Sequence, residues 1–332
     1  MAHDVNYNRL PYEKIYHACT ELLLQDDYTF ANLEFPICDD RPMSNYPLFN
    51  VHKQYVVSAI QSGIEVFSLA NNHITDQGKS GVRSTCNTMN ALRLQYSVHF
   101  SGIRETAETP FLPITIHYKD LKIGFLAITG FLNNTFGAEL VNVVPYQDSE
   151  TRNQFLSVLN EQTKNYDLFI VSFHGGREYS SIPDQEKLLF FIQMIQSGVH
   201  IVWAHHPHVL QPWFELEHGH ISGVLLSSCG NFISGQTWNL DPINPDPKRV
   251  HTGESAVFRV TIHFSDDGPR ILRVKPYPIV NYRHPEYGIV VRPLEDILQD
   301  DKLTREWKQF YRLRVPIINT IVADSSVQNI MR

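Results

Sequence analysis

Along this chain, apolar residues at helical spacing alternate with short, continuous apolar runs. Residues 11–25 repeat apolar positions three and four apart, with Pro11 suited to a first helical turn. The stretch 28–34 reads as a strand running into the polar end Glu34. A helix is expected over 51–62, closed by Gly63, and then a strand over 65–70 that stops at Asn71-Asn72-His73. Helical spacing returns over 82–93. The apolar stretch 121–131 predicts a strand, 151–164 a helix, and 167–173 a buried strand ending at His174-Gly175-Gly176. A helix over 184–196, stopped by Gly198, leads into the apolar run that opens the segment 201–209. Helices alternating with continuous apolar strands predict a mostly parallel sheet with helices on its faces, an α/β fold.

After Gln211 the pattern changes. Residues 220–228 and 256–264 read as strands with no helix between them, and are expected as antiparallel additions to a second sheet. The proline-, asparagine- and aspartate-rich stretch 237–253, which includes Trp238, reads as a long loop, with mobility favoured over a lid role. From Arg292 the chain reads as an amphipathic helical tail. With no internal repeat or linker, the expected organisation is one domain over 1–290, with a tail over 291–332 packed on it.

The candidate chemistry is concentrated where the run at 201 ends, in His205-His206-Pro207-His208. Pro207 disfavours helix there, and an extended segment puts residues i and i+2 on one side. His206 and His208 are therefore expected to face one space together, with His205 facing away. Two converging imidazoles suit zinc, iron or manganese. The plain alternative is a set of exposed loop histidines or satisfied core polars. The other strands shift that balance, because Glu34, Asn72 with His73, and His174 also fall at predicted carboxyl ends of strands. In open α/β sheets that edge is where ligands bind. A carboxylate can bridge two divalent ions while imidazoles and an amide oxygen fill the remaining positions. His73, beside Asn72, is suited to protonating a leaving group. Gly175 and Gly176 allow close approach of a substrate to the backbone.

Composition narrows the field. The 332 residues are 42% hydrophobic with a formal net charge of −7 and no basic run, which argues against nucleic-acid binding by phosphate neutralisation. Cys19, Cys38, Cys86 and Cys229 lack CxxC spacing, so neither a zinc knuckle nor a disulfide scaffold is implied. No apolar run is long enough to cross a bilayer, and the first residues do not read as a signal peptide. As written, the chain reads as soluble and cytoplasmic, whereas an export signal upstream would move it to the cell envelope. A sugar- or nucleotide-handling enzyme with incidental histidines lacks a glycine-rich phosphate loop to support it.

Five motifs occur in order: Asn32-Leu33-Glu34-Phe35-Pro36, then Ala70 to Gly78 with Asn72-His73 at its centre, His174-Gly175-Gly176-Arg177-Glu178-Tyr179, His205 to Pro212, and Gly230-Asn231-Phe232. Together, over about residues 3 to 285, they resemble the bacterial CapA family of poly-gamma-glutamate capsule synthesis proteins. The resemblance implies a calcineurin-like metallophosphoesterase fold, a four-layer αββα sandwich. It implies metal-ligand positions at Glu34, Asn72, His174, His206 and His208, holding two divalent ions (Mn, Fe or Zn), and a catalytic histidine at His73. Glu178, Tyr179 and Asn231 match substrate-binding or supporting positions. The implied reaction is attack by metal-activated water on a phosphoester or an amide. The implied partners are an anionic polymer or a small substrate, in association with membrane-bound capsule synthesis machinery. The alternative, of another class, is a non-catalytic accessory protein that binds an anionic envelope polymer through its metal site.

Three departures from the family pattern stand out. Gly175 stands where tryptophan is common, and Cys229 where an apolar residue is usual. The family's opening apolar strand, ending in Gly-Asp with a metal-binding aspartate, has no counterpart here, and Asp4 is only a nominal substitute. A domain that opened with a helix would leave a gap in the middle of its sheet, with backbone groups unpaired at a cost. The expectation is therefore that translation starts upstream of Met1-Ala2-His3-Asp4 and supplies that strand, that ligand and any export signal.

Overall fold

The computed structural model describes residues 12–323 apart from 16, 110, 219, 220, 267 and 285, so Pro11, Asp4 and the segment Met1-Ala2-His3-Asp4 lie outside the described residues. A mixed α/β architecture with three sheets follows the predicted alternation. After short helices at Tyr12–Ile15 and His17–Leu23, the first sheet is parallel, in the order β1 (Phe30–Asn32), β2 (Val66–Ser68), β3 (His99–Ser101). Helices Lys53–Gln61 and Gly78–Tyr96 connect its strands and contribute Val56, Val82 and Met89 to the same core. The second of these begins four residues before the expected 82, because Gly78 supplies the positive φ that lets the turn after Asp76 feed straight into it.

The six-stranded sheet has the order β4 (Ile114–Tyr118), β5 (Leu121–Thr129), β6 (Leu168–His174), β7 (Ile201–His205), β9 (Ile221–Leu226), β8 (Trp213–His218). Every residue of β6 is buried, as its unbroken apolar run requires for a strand covered on both faces. Helices Ser149–Thr163 and Gln185–Gln196 cover one face. The carboxylates of Asp148 and Asp184 cap them, accepting from the backbone N–H groups of Thr151 and Lys187. The expected antiparallel addition near 220–228 needs correction. Residues Ile221–Leu226 pair parallel with β7 inside this sheet, and their antiparallel partner is the unforeseen strand Trp213–His218. A hairpin too short for a helix still inserted its second strand next to β7, because Val224 and Leu225 are as apolar as the strand they join.

The first and second sheets face each other. Phe30 meets Phe125 edge-on at 5.3 Å, and Ser172 donates to the Ser68 hydroxyl at 2.8 Å. A third, antiparallel sheet comprises β10 (Glu254–Ser265), β11 (Gly268–His284) and β12 (Gly288–Pro293). Its Val280, Tyr282 and Val290 share a core with Phe310, Tyr311 and Ile318 of the helix Arg305–Val322, the predicted tail. Loop 237–253 is tied down at both ends. The Thr237 hydroxyl donates to Asn281, and the backbone oxygen of Thr252 accepts from Asn231.

Candidate metal centre

Each side chain of the site is delivered by the end of a strand. Leu33, just past β1, donates its N–H to the oxygen of Ser68 at the end of β2, so the two strand ends leave the sheet together. The buried Asn71 reinforces this, donating its side-chain amide to the Leu33 oxygen at 2.8 Å and accepting from the N–H of His73. These bonds point Glu34, Asn72 and His73 into one space. In the parallel register of the second sheet, His174 ends β6 directly beside His205, which ends β7.

The structure turns the chain after His205 instead of extending it. His206 has φ 100° and His208 has φ 62°, a left-handed conformation that costs a residue with a Cβ on the order of 1–3 kcal/mol. Two bonds hold the turn: Gly175 donates its N–H to the His205 oxygen, and Tyr179 donates to the oxygen of Pro207 at 2.8 Å. The alternation argument for His206 and His208 therefore fails as physics, although both rings do reach the same space, 5.8 Å apart between centroids. Its corollary fails outright. His205 does not face away, but is buried with its Nδ1 2.9 Å from His174 Nδ1.

The donor atoms form two overlapping groups. Glu34, His174 and His206 offer ligand atoms all within 4.8 Å of one another, and so do Glu178, His206 and His208. His206 belongs to both. Asn72 adds its Oδ1 at 2.8 Å from His174 Nε2, and Glu34 Oε1 lies 3.6 Å from the same nitrogen. His206 is 4% exposed and its buried Nδ1 has no hydrogen-bond partner among the described residues, an arrangement that is costly unless the nitrogen is bound to something else. Imidazole nitrogens, a carboxylate and an amide oxygen converging around such an orphan atom fit divalent transition-metal chemistry.

The surrounding bonds set which ring nitrogens are free. Asn231 spends its amide N–H groups on the oxygens of His208, Gln236 and Thr252, so its Oδ1 faces His208 Nδ1 at 3.0 Å and accepts from it. That leaves the His208 Nε2 lone pair pointing towards Glu178, 4.0 Å away. A supporting partner on the remote nitrogen is the usual way a metal-binding histidine is oriented. His174 is oriented in turn by His205, whose Nε2 is 2.8 Å from the Ser172 hydroxyl. Burial pushes the His174 pKa well down, with the neighbouring imidazoles adding to the effect. Burial likewise takes His205 and His206 down to about 3. All three rings are therefore neutral near pH 7, with lone pairs to offer.

His73 differs. Its Nδ1 is 2.8 Å from Asp76 Oδ2, and its Nε2 lies 3.4 Å from the Asn133 amide. Burial alone would lower its pKa, but the bond to Asp76 and that carboxylate's charge outweigh burial and raise it. At the mouth, Glu178 is exposed, and the Tyr179 ring is half-buried with the Arg249 guanidinium 5.5 Å above it.

Sequence reasoning missed three supporting groups. Asp76 stands three positions after His73, a spacing that brings the two together in a turn. His205 was set aside by the alternation argument. Lys187 is wholly buried, with its Nζ donating to Gln211 Oε1 at 3.0 Å, while Gln211 donates to the oxygen of Ser180. A lysine in register with Phe190, Phe191 and Met194 on an apolar helix face was a legible sign of a built-in polar contact.

Strand ends that gather the imidazoles of His174, His206 and His208, the carboxylates of Glu34 and Glu178 and the amide of Asn72 put this chain in the class of α/β proteins with a candidate ligand site at a sheet edge. Within that class, the family profile described as "Bacterial capsule synthesis protein PGA_cap" matches residues 1–236, and the chain belongs to that family. It is 27% identical over 283 residues to a capsule biosynthesis protein CapA of Bacillus anthracis, covering 82% of this chain and 63% of that protein. It is 25% identical over 272 residues to a PGA biosynthesis protein CapA of Bacillus subtilis (strain 168), covering 77% and 67% respectively. The chain thus spans less than two thirds of the length of the Bacillus anthracis relative. A crystal structure of a hypothetical protein from Thermus thermophilus is 15% identical with a TM-score of 0.46, covering 80% of this chain and 93% of that one. No helix among the described residues is long and apolar enough to cross a membrane.

Proposed function

We propose that this chain is a metal-dependent, hydrolase-like protein of capsule polymer biosynthesis, acting on poly-gamma-glutamate or a related envelope polymer at a phosphoester or amide bond. The observation that carries the reading is the pair of donor groups sharing His206, flanked by a histidine of opposite electrostatic character. Glu34, Asn72, His174, His206 and His208 would hold the cations, with Glu178 beside the outer position and Mn, Fe or Zn as the candidates. A neutral His206 ring has one lone pair to give, so the carboxylate of Glu34 is the group able to serve two ions. Bound cations would supply Lewis-acid polarisation of the scissile group and acidify water. His73, held at Nδ1 by Asp76, carries a proton at Nε2 for the leaving group. Asn231 fixes His208, and Tyr179 with Arg249 lines the approach. Helices Lys53–Gln61 and Gly78–Tyr96, the first and third sheets as one layer, the six-stranded sheet and its two covering helices correspond, in this reading, to the four-layer αββα sandwich of metallophosphoesterases. Association with membrane-bound capsule machinery belongs to the same proposal.

The test is elemental analysis of protein purified without chelator, followed by assays with generic phosphoesters and gamma-glutamyl peptides. Close to two transition-metal ions per chain with turnover that chelation abolishes is the expected result. Absence of metal sinks the whole reading. Tightly held metal with no turnover of either substrate class sinks the catalytic half and leaves an accessory protein that binds an anionic polymer.

A further inference from the structure

Two arginines stand on aromatic rings beside the mouth of the metal centre. The Arg249 guanidinium lies 5.5 Å from the centre of the Tyr179 ring, and that of Arg283 lies 4.2 Å from the centre of the Trp238 ring. Their order runs outward from the site. The Tyr179 ring is 6.0 Å from that of His208, and its hydroxyl accepts from the Gln236 side chain at 3.4 Å. Trp238 follows two residues after Gln236, so the two arginine–aromatic pairs are neighbours.

Both pairs are held in place. Tyr179 donates its backbone N–H to the Pro207 oxygen, and Trp238 packs against the main core. The backbone of Arg249 donates to the Asp246 oxygen and accepts from Thr252, while Arg283 is paired with Ile289 between β11 and β12. A guanidinium with its face on a ring keeps its N–H donors at the edge, in a fork that matches a carboxylate or a phosphate. Both arginines are exposed. Among the described residues, the arginines paired with carboxylates are Arg292 and Arg314, and not the two stacked ones. In a chain of formal net charge −7, that is a preference and not a shortage of acids. Two oriented cations at increasing distance from the metal centre suit a ligand that is extended and repeatedly anionic.

We propose that Arg249 and Arg283 form a binding track for an acidic chain, taking successive carboxylate or phosphate groups outward from the metal centre. Each guanidinium grips one anionic group through paired N–H bonds. A small neutral substrate gains nothing from either. The inference rests on the function proposed above only for where the reacting bond lies, because the track consists of side chains that need no metal.

The test is calorimetric titration of penta-γ-glutamate into the full chain, with metal-loaded and chelator-treated protein in parallel. Arg249→Gln and Arg283→Gln, both at exposed positions, should each weaken binding roughly fivefold, and the double variant roughly 25-fold. Added salt should weaken binding in the parent protein and less in the double variant. Trp238 emission, assigned with Trp238→Phe, should change on binding, since the guanidinium above its ring takes a new partner. Penta-γ-glutamine, the same backbone without charge, should bind far more weakly than the acidic chain. Arg93→Gln, at the far end of the helix Gly78–Tyr96, should behave as the parent protein. Linear pentaphosphate identifies the anionic group: tighter binding that needs the same two arginines names phosphate in place of carboxylate. Equal affinity in the parent protein and both variants overturns the track, as does equal binding of the neutral chain. A loss in Arg93→Gln as large as in the other two reduces the effect to net charge and overturns it as well. Arginine-dependent binding by chelator-treated protein upholds the track even where elemental analysis finds no metal, so the two readings fail separately.

Discussion

The inner histidines and His73 occupy one site under opposite conditions. His174, His205 and His206 sit among other imidazoles with no carboxylate bonded to their rings, and burial drives their pKa values down. His73, also buried, is bonded to Asp76, and its pKa moves up. One residue type thus meets two opposite electrostatic environments. Rings kept neutral can donate lone pairs to a cation, whereas a ring kept protonatable can hold and release a proton. The difference lies in one carboxylate at hydrogen-bond distance.

The most drastic way to break this comparison is His206→Ala. His206 is buried and common to both donor groups, so its loss should lower the metal content by elemental analysis at least as far as His208→Ala does. A smaller loss in His206→Ala than in His208→Ala would show that the groups do not overlap as the geometry indicates. His73→Ala attacks the other side. It should keep its metal and lower turnover by roughly 10²–10⁴-fold. Asp76→Asn should sharpen the point, for without the carboxylate the His73 pKa falls. Activity that needs the protonated ring is lost as pH rises through that pKa, so the alkaline limb of the pH–rate profile should move to lower pH. An unmoved limb would detach His73 from the proton-transfer role.

A smaller effect is expected at His205. Its ring orients His174, so His205→Ala should weaken metal binding by about 10–100-fold, measured by competition with a chelator, with little change in secondary structure. The smallest effect belongs to Lys187, whose burial lowers its pKa from 10.5 to about 7. Between those values the unfolded chain binds a proton that the folded chain does not, so stability should rise with pH across that window. Lys187→Met should flatten that rise in denaturant titrations at pH 7, 8 and 9. A slope identical to the parent protein would mean the ammonium is paired more fully than its bond to Gln211 indicates.

Much of the architecture was legible because a strand covered on both faces must be written in continuous apolar residues. Residues 121–131 and 167–173 showed this, and their polar ends announced where His174 would emerge. Glu34 and Asn72 were expected at strand ends by the same reasoning. Legibility stopped where backbone conformation departed from its preferences. Nothing in His-His-Pro-His advertises a left-handed backbone at two histidines; tertiary bonds from Gly175 and Tyr179 impose it. That single turn reversed the role of His205. The strand Trp213–His218 was missed, and Ile221–Leu226 was expected in the wrong sheet, since pattern identifies a strand but not its neighbour, which long-range packing chooses.

An ion pair made by the C-terminal helix reaches the same site. Arg314, on the helix Arg305–Val322, holds the buried carboxylate of Glu254 through two nitrogens. Glu254 starts β10, the next residue bridges Gly230, and Asn231 beside it grips both His208 and the Thr252 oxygen. When that helix frays, the brace on His208 loosens with it, although the helix acts only through these intermediaries. The rate at which a bound cation escapes should then track hydrogen exchange in a helix far downstream of Asn231. Residence time, and not affinity alone, would be written into the C-terminal part of the chain, and Arg314→Gln should shorten it.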